Sequence, residues 1–228
     1  MPVEFVGILA LQACVDIFVA LIGVFITYYI VKAYSISGES HLVFIFSGFG
    51  IYSSTLMVRS LIILLGALTL NPIIIVISAG MSKMLPILIP LSYSLIAVGY
   101  TLSIRRLKSL KQVTILNMPI IFYEKYYNHR RLREMFNVTL ALPPLSDLLS
   151  IIPLTYIVLI LMSSKIAGQK VHSETLLSFT LLIASHVASI IAILMLSLAF
   201  YIASHVLRAM GFLLIMLVYY KLSEALGR

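Results

Sequence analysis

Charge is what this chain lacks most: Asp, Glu, Lys and Arg together make up 11% of its 228 residues. A soluble domain typically carries about 25% charged residues, so a water-exposed globule of this size is excluded. Tryptophan is absent and Cys14 is the single cysteine, which rules out an intrachain disulfide and leaves the redox compartment unread. Polar interruptions are also scarce. No alternating apolar and polar register of the kind a transmembrane β-barrel needs is present, and no P-loop, GxGxxG, HExxH or CxxC motif occurs.

What fills the chain instead is apolar sequence, 61% of residues, with a mean hydropathy of +1.11. It comes in blocks of about 20 or more, the length of a membrane-crossing helix. Within lipid, each such block must satisfy its own backbone hydrogen bonds and is therefore helical. The expected fold is an all-α, polytopic integral membrane protein forming one transmembrane domain over residues 1–228. Six spans are expected at Val6–Val31, Leu42–Ala67, Leu85–Ile104, Leu145–Ser163, Leu176–Leu198 and Val206–Tyr220. Two stretches leave the count open between five and seven. Pro72–Ser78 is apolar but short, and Leu176–Tyr220 is nearly continuous until it is divided at Ser204–Arg208.

The net charge of +8 has a simple origin, because eight of the sixteen cations lie in one polar stretch, residues 105–144. There Phe122, Tyr123, Tyr126 and Tyr127 mix with Lys125, Arg130, Arg131 and Arg133, a composition suited to the headgroup level and to docking other membrane or peripheral subunits. The positive-inside rule places this loop in the cytoplasm of a multi-pass protein of the cell membrane, with six spans putting both termini outside. Nucleic acid is not an expected partner.

Ionisable residues inside spans cost about 2.5–3.5 kcal/mol each on insertion scales and normally face a bundle interior. Asp16, Arg59 and Lys83 are the candidates. Gln12, Asp16, Gly23 and Thr27 share one helical face of the first span, and His41, Gly48, Tyr52 and Arg59 share one face of the second. In an antiparallel hairpin Asp16 and Arg59 reach similar depth, which predicts a buried ion pair. Of the remaining carboxylates, none reads as clearly buried.

Five histidines are present. His41 and His205 each begin an expected inside-to-outside span, and each is followed about two turns later by Gly-Phe. That pairing predicts axial ligation of one b-type haem near the cytoplasmic face, with no other metal expected. Ile183-Ala-Ser-His-Val recurs verbatim at Ile202-Ala-Ser-His-Val, a hint of internal duplication. Three functions fit these features: a membrane subunit of an electron-transfer complex with haem or quinone contact, a small ion or solute transporter or channel, and a membrane sensor or assembly factor. A non-catalytic role is favoured over an enzyme, since no nucleophile–base pair has a readable spacing.

Overall fold

In the computed structural model, which describes residues 3–69, 88–104, 142–169 and 171–226, every regular element is a helix. There are six among the described residues: α1 (Val3–Ser37), α2 (His41–Thr69), α3 (Leu88–Ile104), α4 (Leu142–Ile166), α5 (Ser173–Met195) and α6 (Leu198–Leu226). All except α3 are long and apolar enough to cross a membrane, so the protein is a multi-pass helical membrane protein. Large apolar side chains such as Phe25, Leu65, Ile152 and Leu194 are exposed on the outside of the bundle, as a lipid-facing surface requires. The expected loop 105–144 falls almost wholly outside the described residues, as do Pro72–Ser78 and Lys83.

Short turns close two hairpins. After α1, Gly38 takes φ +66° and its N–H bonds the Tyr34 carbonyl at 2.8 Å, the left-handed cap that glycine adopts without a Cβ penalty. The α5–α6 turn uses Leu196 at φ 50° for the same purpose. With the α1–α2 turn drawn uppermost, the α5–α6 turn lies at the lower end, beside the start of α1.

Inter-helix contacts fix the direction of each helix. Asp16, Gly23 and Tyr29 of α1 sit level with His205, Phe212 and Tyr220 of α6, so these two helices run parallel. Tyr93 and Tyr100 of α3 meet His186 and Phe179 of α5, an antiparallel pair. Asp147 and Tyr156 of α4 lie level with Tyr93 and Thr101 of α3, because Asp147 contacts the same histidine as Tyr93. Helices α3 and α4, the neighbouring described helices on either side of residues 105–141, therefore run in the same direction.

This differs from the sequence expectation in a definite way. Six alternating spans would make α1 and α6 antiparallel, with both termini at one end. Instead α1 begins at the lower end and α6 finishes at the upper end, so the two chain ends point to opposite sides. Lys32, Lys165 and Lys221 all lie at the upper end, whereas alternation separates Lys32 from the other two.

Close packing sets the depth of the polar groups. A Cβ on Gly48 would stand 2.6 Å from the Ser92 carbonyl oxygen, one on Gly99 2.9 Å from that of His41, and one on Gly211 3.1 Å from that of Ser178. Such positions let helix backbones meet directly. Between them stands an aromatic column: Phe49 meets Phe212 edge-on at 5.8 Å, Tyr52 stacks on Phe212 at 4.8 Å, and Tyr93 lies 5.4 Å from Tyr52. The Gly-Phe pairs 48–49 and 211–212 thus serve helix contact and this column.

Candidate functional site

Two carboxylate–histidine pairs are buried along the axis of the bundle. The lower one joins α1, α2 and α6. Asp16, with no exposed surface, has its Oδ1 3.4 Å from Nδ1 of His205 and its Oδ2 3.8 Å from Nη1 of Arg59. Neither contact has hydrogen-bond geometry. Both Asp16 oxygens, His205 Nδ1 and Arg59 Nε are buried without a hydrogen-bond partner in the protein. The His205 ring rests edge-on against Tyr201 at 4.7 Å.

The upper pair joins α3, α4 and α5. His186 Nδ1 lies 2.6 Å from Asp147 Oδ1, and Ser189 donates its hydroxyl to Asp147 Oδ2, also at 2.6 Å. The Tyr93 hydroxyl is 3.4 Å from His186 Nε2. An ionised carboxylate only accepts, so Nδ1 carries the proton towards Asp147 and Nε2 accepts from Tyr93. Asp147 is 13% exposed and His186 1%.

Arg208, one turn beyond His205 on α6, links the two pairs. It is buried and within electrostatic reach of Asp16, Asp147, Tyr52 and Tyr93. Its Nε and the Tyr52 hydroxyl also have no hydrogen-bond partner in the protein. His186 lies ten residues before Leu196 of the α5–α6 turn and His205 nine after it, and Gly211 of α6 packs on Leu182 and Ser178 of α5. The upper pair therefore stands within about one helical turn of the lower one in depth, across the α5–α6 contact. A buried polar atom left unpaired costs about 1–3 kcal/mol. All of those at the Asp16–Arg208 level burden the lower pair, while the upper pair's oxygens and ring nitrogens are each contacted.

The two verbatim Ile-Ala-Ser-His-Val segments build the two histidines in the same way. Ser185 and Ser204 each donate to the carbonyl three residues back, Leu182 and Tyr201, at 2.7 Å. The following histidine then points its Nδ1 at a carboxylate on another helix. The partner helices run antiparallel in one case (α4 with α5) and parallel in the other (α1 with α6), so the repeat is one of local motif and not of paired helices.

Of the residues singled out in the sequence, Asp16, Arg59 and His205 come together. His41 does not join them. It caps the upper end of α2, 3.4 Å from Glu39, whereas Arg59 lies roughly 27 Å further along the same helix by rise. His205 shares Asp16 with Arg59, so it lies at that lower level. One haem iron takes its two axial imidazoles from opposite faces of a single macrocycle, which histidines so far apart do not provide. The expectation of matched depth fails because it places His205 at the end of a span whose start α6 extends by eight residues, and in the wrong direction.

Sequence reasoning missed Asp147, His186, Tyr93 and Arg208. Asp147 reads as a boundary residue because the apolar run begins at Leu145. In the structure that run begins beside the middle of α5, so its first carboxylate is deep. The repeated histidine motif was the available signal. Among the described residues no group of three or more His, Cys, Asp or Glu is placed to hold a metal ion. No protein-family model, curated protein or solved structure matches this chain.

Proposed function

We propose that this chain is a membrane transport protein that moves protons along the axis of its helical bundle, using Asp16–His205 and Asp147–His186 as two proton-binding stations. The observation that carries this reading is their adjacency: two titratable carboxylate–imidazole pairs stand across the α5–α6 contact in the bundle interior, with Arg208 coupled to both. Intramembrane acid–histidine chains are costly unless used, and they mark proton relays in pumps and transporters. Histidine accepts and releases protons near neutral pH, and a carboxylate beside it holds its orientation.

A purely structural role for one ion pair needs no second station and leaves no unpaired polar atoms. The electron-transfer reading leaned on His41 and His205 sharing a haem, and their separation removes that support. In the transport reading the upper end faces the cytoplasm of a cell membrane. Lys32, Lys165 and Lys221 lie there, and among the described residues no Lys or Arg lies at the lower end.

Reconstitution into vesicles loaded with a pH-sensitive dye tests the proposal. An imposed pH gradient should collapse at least tenfold faster with the wild-type protein than with Asp16→Asn or Asp147→Asn. Equal rates for wild type, both variants and protein-free vesicles would remove the proposal.

A further inference from the structure

The stations differ in what they leave open. At the upper one each Asp147 oxygen and each His186 nitrogen faces a partner. At the lower one, polar atoms from three helices lack hydrogen-bond partners in the protein: both oxygens of Asp16, Arg59 Nε, Arg208 Nε, His205 Nδ1 and the Tyr52 hydroxyl. Asp16, Tyr52, His205 and Arg208 are all more than nine-tenths buried. Among the charged groups here are two guanidiniums, both permanently cationic, and one carboxylate. The second carboxylate of the core, Asp147, is already engaged by His186 and Ser189. Hydrogen bonds to neutral groups leave the Asp147 charge in place, so with both histidines neutral the two carboxylates balance the two guanidiniums, and a proton on Asp16 leaves one positive charge in excess.

That balance selects the class of guest. A cation meets two guanidiniums, and a neutral solute gains nothing from the excess charge. An anion meets guanidinium N–H groups, an imidazole and a phenol hydroxyl, all able to donate. Its nearest unfavourable neighbour is ionised Asp16, and a proton on Asp16 removes that repulsion and supplies the excess positive charge. We infer that Arg59, Arg208, His205 and Tyr52 form a binding site for a small monovalent anion, occupied together with a proton on Asp16. The coupling rests on the proton-transport reading, and the anion site itself does not. One anion and one proton bind as a neutral pair, so transport through the site carries no net charge. The titratable and charged groups facing it are Asp16 from α1, Tyr52 and Arg59 from α2, and Tyr201, His205 and Arg208 from α6. Tyr93, Asp147 and His186 flank it above.

Nitrate is a suitable probe and gluconate a suitable inert counterpart at equal ionic strength. Unfolding of the purified full chain in detergent is followed by fluorescence of its 13 tyrosines, undisturbed by tryptophan. Nitrate should raise the midpoint for wild type in a saturable manner. Arg59→Gln and Arg208→Gln should abolish the rise, while Arg208→Lys, which keeps the charge, should retain part of it. If Arg208→Gln does not fold, Arg59→Gln carries the test. No rise for wild type, or an equal rise in both glutamine variants, marks a general salt effect and overturns the site. In vesicles, proton flux should fall at least tenfold when gluconate replaces nitrate and should not respond to membrane potential. Undiminished flux in gluconate overturns the coupling and leaves proton transport standing. Nitrate stabilisation without proton flux in any salt leaves the anion site standing and removes the transport reading.

Discussion

The two histidine stations share a local motif and differ in how completely they are satisfied. His186 sits in a closed chain of contacts from Tyr93 through the imidazole to Asp147 and Ser189. His205 faces a carboxylate at 3.4 Å without hydrogen-bond geometry, beside two arginines. The same five residues thus produce a well-ordered pair on α5 and an under-satisfied one on α6. What separates them is the partner helix: α4 brings a carboxylate and α5 itself adds Ser189, while α1 and α2 bring opposite charges at longer range. In a low-dielectric interior a satisfied polar network is rigid, and an incompletely satisfied one carries the cost of its unpaired atoms. The upper station is suited to holding a proton in a fixed geometry, and the lower one to exchanging partners.

The largest expected effect breaks the lower station. Asp16→Asn leaves buried Arg208 and partly buried Arg59 without their counter-charge, an expected loss of about 3–5 kcal/mol. Adding Arg59→Gln should restore part of it. Chemical denaturation of the single and double variants measures the coupling, and additive effects would contradict a shared electrostatic unit. A smaller loss should follow at the upper station. Asp147→Asn keeps a hydrogen-bonding side chain but weakens charge-assisted bonds from His186 and Ser189, so about 1.5–3 kcal/mol is expected. Second-site charge removal should rescue it less than it does Asp16→Asn, because among the described residues no arginine forms an ion pair with Asp147 as Arg59 does with Asp16. Rescue of Asp147→Asn by Arg208→Gln as large as that of Asp16→Asn by Arg59→Gln would erase the distinction.

Several features of this site were legible in the sequence, for physical reasons. Long apolar runs admit only helices in lipid, so membrane class and helix content follow from composition. Helical periodicity places Asp16, Gly23 and Thr27 on one face of α1, and the structure sets that face against α2, where Gly23 meets Ser53 and Thr27 meets Gly50. Helix direction was not legible. Counting basic residues at span ends assumes that the expected spans alternate, and the described helices α3 and α4 run in the same direction. That one departure moves His205 to the end opposite His41, brings Asp147 from an expected boundary to the middle of the bundle, and buries Arg208, which the sequence reading puts in the division between two spans. Depth is a property of which helices neighbour one another, and local sequence does not encode it. The motif Ile-Ala-Ser-His-Val, by contrast, carried its signal openly. Its two histidines are the two that meet carboxylates.

The central claim is that protons bind at Asp16 and at Asp147 inside the membrane. Infrared difference spectroscopy of the reconstituted protein, stepped from alkaline to acid pH, observes carboxyl protonation directly. Two protonated-carboxyl bands should appear, one lost in Asp16→Asn and the other in Asp147→Asn, each variant leaving its counterpart in place. A spectrum without such bands across the full titration, or bands that survive in both variants, would contradict the account.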